Sequence, residues 1–496
     1  MANDHNKSVL LFAPQPNEDG RRVLPLGLLA ISAVLDKQGY NIKIIHSYDE
    51  KDCLKAIESI DQMVAVGITA ITGYQIYDGL RFAKLVREKN PNIPIIWGGV
   101  HSTILPEQTV SHSLVDIVVR GAGEETFTEL IDCLASGSSY SNVKGITYQK
   151  ENKIINNPDR PYKSINEFPS FPYHILGDDI EKYFKQSFYA KKMLPYITST
   201  GCPFRCTFCH LSKGTSVWDS YPPERVVDEI DHLVKTYNID GIELRDYNFF
   251  VDVRRVREIC HGLIDRGINI SITGANGRAE QMVKYFDDDW RLLQKAGFKE
   301  ILIGAESGDQ KILDLINKQG VVNDVLECAK KAKQFDINAI NSFMTSFPAL
   351  DTLKLSTKYI SQELNHTVDL IAEIFKVNQV ADSLIFLYTP YPGTPLYDSA
   401  VKNGYQNPQS LEDWSRVDFS HKSTPWTTKS HMKKVLLLKK LVVLKKIISP
   451  EYVKSKHSKV HTLISRLGLY QLLNLWIDIR LKYKFYYLPF ERLLLN

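Results

Sequence analysis

Strand-like and helix-like segments alternate along this chain in two long blocks, and that alternation restricts the fold more than any other feature. In the first block, apolar β runs at Val9–Ala13, Asn41–His46, Met63–Thr69, Pro94–Trp97 and Asp116–Arg120 are interleaved with helix patterns. Those helices fall at Leu26–Gln38, Lys51–Ile60 and Tyr77–Lys89, with a last one near Glu125–Ala135. The pattern predicts an α/β domain with a doubly wound parallel sheet, flavodoxin-like, taking ligands at the carboxyl ends of its strands. The second block has strand signals at Leu194–Thr198, Gly241–Leu244, Ile268–Thr273, Glu300–Ile303, Ile337–Met344 and Ser383–Leu387. Six strand–helix units predict an open partial (β/α)6 barrel with its chemistry at the strand carboxyl ends. The expected organisation is a doubly wound domain over 1–144, a connector over 145–190, the barrel over 191–400 and a helical basic region over 401–496. The connector is read as a short hairpin followed by a Pro- and aromatic-bearing strap.

Directly after the first barrel strand stands Gly201-Cys202-Pro203-Phe204-Arg205-Cys206-Thr207-Phe208-Cys209-His210. A strand running into a tight loop of thiolates suits an iron–sulfur cluster, whose soft irons are satisfied by cysteine sulfur. A four-iron cluster normally takes four ligands, and no fourth cysteine stands nearby, so one iron would stay open to a small molecule. A zinc site completed by His210 is the alternative, although one short loop cannot easily wrap a tetrahedron. The remaining cysteines, Cys53, Cys133, Cys260 and Cys328, are scattered singly, a reduced, cytosolic pattern. Met1–Ser8 lacks an apolar signal core and no run approaches a membrane span, so a cytoplasmic location is expected.

The C-x3-C-x2-C spacing, with the aromatic Phe208 before its third cysteine, resembles the radical S-adenosylmethionine (SAM) enzymes. The resemblance implies a [4Fe-4S] cluster held by Cys202, Cys206 and Cys209, with SAM on the open iron and Phe208 near its adenine. Later segments agree. Arg245-Asp246-Tyr247-Asn248-Phe249-Phe250 resembles the family's D-D-N-F, with Tyr247 replacing one Asp and Asn248 retained. Asn276-Gly277-Arg278 follows strand three, where a guanidinium suits the SAM carboxylate. Gly304-Ala305-Glu306-Ser307-Gly308 matches G-x-E-S-G, implied to lie near the SAM ribose and methionine. Phe343–Pro348 resembles F-M-x-G-F-P-G-E, but Ser346, Ala349 and Leu350 replace Gly, Gly and Glu.

The first block has its own motif-like loops. Ile71-Thr72-Gly73, Gly98-Gly99-Val100-His101 and Gly121-Ala122-Gly123-Glu124-Glu125 follow strands three, four and five. Glycines there let backbone approach a large ligand. With Pro25–Leu28 and Leu105-Pro106-Glu107, these loops resemble the cobalamin-binding domain fused to many radical SAM enzymes. The resemblance implies cobalamin contacts from Thr72, Gly73, Gly98, Gly99, Val100, Gly121, Gly123 and Glu124. An empty, degenerate domain is the alternative. The D-x-H-x-x-G signature is absent and no histidine lies between Pro14 and Gly27. Cobalt is therefore expected to lack a histidine ligand, with His46 and His101 as loop or surface residues.

The resemblance implies a methyltransferase in which a 5′-deoxyadenosyl radical takes hydrogen from an unreactive carbon and methylcobalamin delivers a methyl group. A cyclase or ring-rearranging enzyme that transfers no methyl, and a cobalamin or redox sensor with a structural cluster, are the other readings. Expected partners are a small-molecule or lipid-like substrate and an electron donor such as flavodoxin or ferredoxin. Residues 421–496 hold 16 basic against 3 acidic residues, a net +13 that leaves −9 on the rest of a +4 chain. Lysine pairs at 433/434, 439/440 and 445/446 surround their helix, which predicts a helical cap on the barrel rather than a membrane-skimming stripe. An anionic substrate, partner or membrane surface could still attract that cap. Nucleic acid is not expected, because no binding fold or second basic stripe is present.

Overall fold

The structure, a computed structural model, describes residues 7–15, 22–47, 49–212, 217–348, 357–417, 424–449 and 469–485. It divides into two compact units, Met1–Phe184 with Gln406–Phe419 and Lys185–Tyr405 with Ser420–Asn496.

The first unit is built on one sheet. Its strands are β1 (Ser8–Phe12), β2 (Asn41–Ile45), β3 (Met63–Thr69), β4 (Ile95–Gly98), β5 (Ile117–Val119), β6 (Ile146–Lys150) and β7 (Lys153–Asn156), in the order β2-β1-β3-β4-β5-β6-β7. The first five pair in parallel. All five residues of β1 are buried, as expected for a central strand covered on both faces. Its side chains divide accordingly: Leu11 joins Leu28, Phe127 and Leu130 in one cluster, whereas Phe12 stacks on Phe82 with ring centroids 4.0 Å apart. Gly79 sits mid-helix because a Cβ there would lie 2.8 Å from the Trp97 ring.

One expectation needs revision. The hairpin assigned to a connector forms the antiparallel edge of this sheet, with β6 pairing β5 and β7 pairing β6. Arg120 ties it down, donating to the carbonyls of Ile146 and Asn157, both at 2.5 Å. The compact unit then continues through residue 184.

The second unit holds β8 (Met193–Tyr196), β9 (Ser199–Thr200), β10 (Asp219–Ser220), β11 (Gly241–Leu244), β12 (Ser271–Thr273), β13 (Ala275–Arg278), β14 (Glu300–Glu306), β15 (Asn338–Thr345) and β16 (Asp382–Leu387). Leaving aside the small antiparallel pair β9–β10, all neighbours run parallel, in the orders β12-β11-β8 and β13-β14-β15-β16. Of the expected third strand only Ser271–Thr273 forms, and an unexpected strand, β13, follows beyond Gly274, which has φ +72° and would place a Cβ 2.8 Å from the Leu244 carbonyl. β12 pairs back to β11 and β13 forward to β14, so the wall of a six-unit partial barrel continues across Gly274.

The basic helix, Lys429–Ile447, packs on β16. Its lysines divide between interior and solvent. Lys445 pairs with Asp478 at 2.6 Å and bonds Asn474, Lys446 pairs with Asp382, and Lys439 lies 5.6 Å from the Phe386 ring centroid. Lys433 and Lys440 are exposed. Half of the paired lysines therefore bind this helix to the protein itself. No helix of the described residues is long and apolar enough to cross a membrane. Ala349 and Leu350, noted in the sequence, lie outside the described residues.

Candidate active site and cofactor loops

The thiol loop leaves β8 across a buried anchor. The Asp246 carboxylate, on the loop after β11, accepts from the Thr198 hydroxyl at 2.7 Å, the Ser199 hydroxyl at 2.5 Å and the Thr198 amide at 3.2 Å. Arg255 donates to the carbonyls of Thr198 (2.9 Å) and Tyr221 (3.0 Å). Burial raises the Asp246 pKa, while these hydroxyls and the nearby guanidinium oppose the shift. Further along, Thr207 donates its amide to the Ile316 carbonyl and accepts at its own carbonyl from Leu396, both at 3.0 Å. Asn317 Nδ2 donates to the Arg205 carbonyl at 3.0 Å. The loop is therefore held at its root and on both flanks.

Cys206 is buried, and Cys202 and Cys209 are half-buried. Burial, reinforced by the two neighbouring thiols, pushes Cys209 up to about 11. Arg278 Nη1 lies 3.0 Å from Cys206 Sγ, with its guanidinium 3.8 Å from the Phe204 ring centroid. Among the described residues no three His, Cys, Asp or Glu side chains gather to hold a metal ion. His210, the fourth donor of the zinc alternative, packs its ring near Tyr247 and Tyr391. A [4Fe-4S] cube requires three sulfurs set apart on three different irons. An all-thiol loop with a cation beside one sulfur fits that group.

The residues expected around SAM fall into two sets. Arg278 reaches the thiol loop, and Glu306 is linked to Arg278 through Lys318. Glu306, at φ +61° where β14 ends, pairs with Lys318 at 3.0 Å, and both are buried. The Lys318 carbonyl accepts from Arg278, which also pairs with Glu280. Lys318 was not singled out in the sequence because it lies outside the G-x-E-S-G motif. Its signal is Gly304, where a Cβ would stand 2.6 Å from Glu306 Oε1 and 2.8 Å from Lys318 Nζ.

The second set faces inward. Ser307 donates to Glu363 at 2.9 Å, and Gly308 donates its amide to Thr367 at 2.9 Å. A Cβ on Gly308 would meet the His366 carbonyl at 2.4 Å, so this glycine admits helix Thr357–Val377. Asn248 bonds Gln281 at 2.8 Å and caps Phe250. Phe208 packs against an apolar cluster containing Phe347, Tyr388 and Leu396. Ser346, standing where the family has glycine, adopts φ +67°. Its carbonyl accepts from Trp426 at 2.8 Å.

The cofactor loops of the first unit separate just as clearly. A Cβ on Gly121 would meet nothing within 4 Å, and one on Gly98 only the Val119 carbonyl at 3.8 Å. Those two positions leave a cradle open. Gly99 differs: at φ +89° its Cβ would stand 2.7–2.9 Å from Thr69 Oγ1 and the Ala70 backbone, so its glycine serves the fold. Gly73 (φ +108°) precedes helix Tyr74–Lys89, Val100 opens helix Val100–Ile104, and a Cβ on Gly123 would crowd Ile31 at 3.0 Å.

His46 and His101 are buried, contrary to expectation, and burial lowers each pKa to about 4, keeping both neutral. His101 Nδ1 bonds the Thr72 hydroxyl at 2.9 Å. Among the described residues, His101 Nε2, Ser102 Oγ, Glu124 Oε2 and Gln15 Oε1 are buried without hydrogen-bond partners. All four follow carboxyl ends of β1, β4 and β5. Buried polar atoms left unpaired are costly, so their concentration there suits a polar ligand such as cobalamin.

The chain matches the B12 binding domain over residues 18–131 and the radical SAM superfamily over residues 196–351. It is 29% identical to an uncharacterized methyltransferase of Pyrococcus horikoshii, across 83% of this chain and 86% of that one. It is 26% identical to the anaerobic magnesium-protoporphyrin IX monomethyl ester cyclase of Synechocystis, across 68% of each. Among solved structures, OxsB, a cobalamin-dependent SAM radical enzyme with aqua-cobalamin and SAM bound, superimposes with a TM-score of 0.71 at 18% identity, covering 97% of this chain and 73% of its own. TsrM of Kitasatospora setae, a radical SAM methyltransferase with cobalamin and a [4Fe-4S] cluster bound, gives 0.63 at 16% identity, covering 81% and 76%. At such identities these structures speak to the fold.

Proposed function

Carrying a B12-binding domain and a radical SAM domain on one chain, the protein is a cobalamin-dependent radical SAM enzyme, and we propose that it methylates an unactivated carbon of a small-molecule substrate. The observation that carries the reading is the thiol loop at the carboxyl end of β8, with Arg278 set against Cys206. Methyl transfer is supported by the methyltransferase relative that aligns over most of both chains. The cyclase relatives support a second reading, oxidative ring closure without methyl transfer.

Cys202, Cys206 and Cys209 would hold the cluster, with SAM beside Arg278 and Glu306, and cobalamin on the open loops at Gly98 and Gly121. Bound there, cluster and SAM supply an organic radical, and cobalamin supplies the methyl group. The chain's own residues position and shield. Asp246 and Arg255 fix the root of the thiol loop, and Arg278 sets its guanidinium against Cys206. Lys318 pairs with Glu306 and orients it within a buried setting. An electron donor such as flavodoxin or ferredoxin would supply the reducing electron. We place this activity in the cytoplasm; contact with a membrane surface is a further proposal that flotation with vesicles would test.

Anaerobically reconstituted protein, given SAM, methylcobalamin and a reductant, should form 5′-deoxyadenosine. Single alanine variants of Cys202, Cys206 and Cys209 should form none, and full SAM cleavage in any of them refutes the assignment. S-adenosylhomocysteine accompanying a methylated product separates methyl transfer from cyclisation.

A further inference from the structure

Residues 406–417 match no sequence motif, yet they leave the barrel unit and return to the first one. Helix Leu411–Ser415 packs on helix Tyr74–Lys89, with Leu411 and Trp414 each 1% exposed. Trp414 Nε1 donates to Gln108 Oε1 at 2.6 Å, and Gln108 Nε2 donates to the Pro408 carbonyl at 3.4 Å. Glu412 meets His112 Nε2 at 3.0 Å. The indole stands edge-on to the His101 ring, with centroids 5.7 Å apart and planes at 65°. His101 then bonds Thr72 through Nδ1 and leaves Nε2 buried, with no partner among the described residues. An unbroken line of contacts therefore runs from Trp414 through His101 to Thr72, across the loops that follow β4 and β3.

We propose that segment 406–417 is a brace for the cobalamin loops, with Trp414 as the positioning residue that sets the His101 ring. The inference rests on the cobalamin reading above. An imidazole with one nitrogen bonded and the other empty is directed only while its ring plane is fixed. The Thr72 hydroxyl fixes one edge of that ring and the indole packs against it. Gln108 keeps the indole from turning, because rotation would bury its N–H without an acceptor. Cobalamin binding thus depends on residues encoded after the barrel, well outside the domain that carries the glycine loops.

The test titrates hydroxocobalamin into the full chain and its variants, reading the absorbance change, with circular dichroism and iron content as controls. Trp414→Ala should weaken binding roughly tenfold or more, as loss of an orienting neighbour does. Trp414→Phe, which keeps an aromatic edge beside His101, should recover most of that loss. Gln108→Leu should weaken binding about threefold, the size of one hydrogen bond. Wild-type affinity in a folded Trp414→Ala protein overturns the brace. If that variant does not fold, unchanged affinity in Gln108→Leu overturns it instead. Wild-type protein that takes up no hydroxocobalamin overturns the cobalamin reading itself, and the brace with it.

Discussion

Replacing Glu363 by Gln should alter how stability depends on pH. Glu363 is fully buried, and burial holds its pKa at about 7 instead of 4.5, although Thr345, Ser307 and Thr367 all offer hydroxyls to it. A carboxyl with a folded pKa above its unfolded one holds its proton more tightly when folded. Its contribution is fully present below about 4.5 and is lost as pH rises through about 7. The interval between the two values corresponds to about 3 kcal/mol, with buried carboxylates relaxing enough to make that an upper figure. Glutamine keeps the shape, and the surrounding hydroxyls can turn to accept from its amide. Urea unfolding of both proteins at pH 5 and pH 8.5 is the assay. The variant should lead by no more than about 1 kcal/mol at pH 5 and by up to about 3 kcal/mol at pH 8.5. His46, His101 and His431, each lowered to about 4, titrate with the opposite sign but are common to both proteins and cancel in the difference. An equal offset at both pH values would show that Glu363 is charged throughout and refute the argument.

Two further outcomes follow from the packing. Gly99→Ala should destabilise the first unit by about 2–4 kcal/mol, combining left-handed strain with backbone overlap, whereas Gly98→Val should leave thermal unfolding within a few degrees of wild type while weakening hydroxocobalamin binding. In the basic helix, Lys445→Gln should lower stability by about 1–3 kcal/mol by leaving Asn474 and Asp478 without their buried partner, while Lys440→Gln should change it by less than about 0.5 kcal/mol; equal effects in urea unfolding would contradict the division between interior and solvent lysines.

Much of the architecture could be read from local pattern, because parallel strands buried on both faces appear as short apolar runs between amphipathic helices. What escaped were the non-local choices. The hairpin of β6 and β7 was recognisable, but the strand it would join was not, since that depends on Arg120 reaching Ile146 and Asn157. Strand β13 was not legible, because Ala275-Asn276-Gly277-Arg278 carries no apolar β run and pairs only through its neighbour β14. The thiol loop was legible from spacing alone. The environment of each SAM candidate was not: Glu306 and Ser307 are adjacent in sequence, yet one reaches Lys318 and the other Glu363. His101 looked like a surface histidine because nothing near it in sequence announces Trp414, more than three hundred positions later.

That separation has a consequence for biosynthesis. The first unit emerges first from the ribosome, but the segment that covers Gln108 and His101 follows the roughly 220 residues of 185–405. At about 5–20 residues per second, the interval is on the order of ten to forty-five seconds. Throughout it, the surface later covered by Leu411 and Trp414 is bare, and the nascent domain offers an apolar patch to chaperones and to neighbouring chains. Maturation of the first unit thereby becomes contingent on completing the second, so a chain truncated within the barrel should be caught by quality control even though its glycine loops are intact.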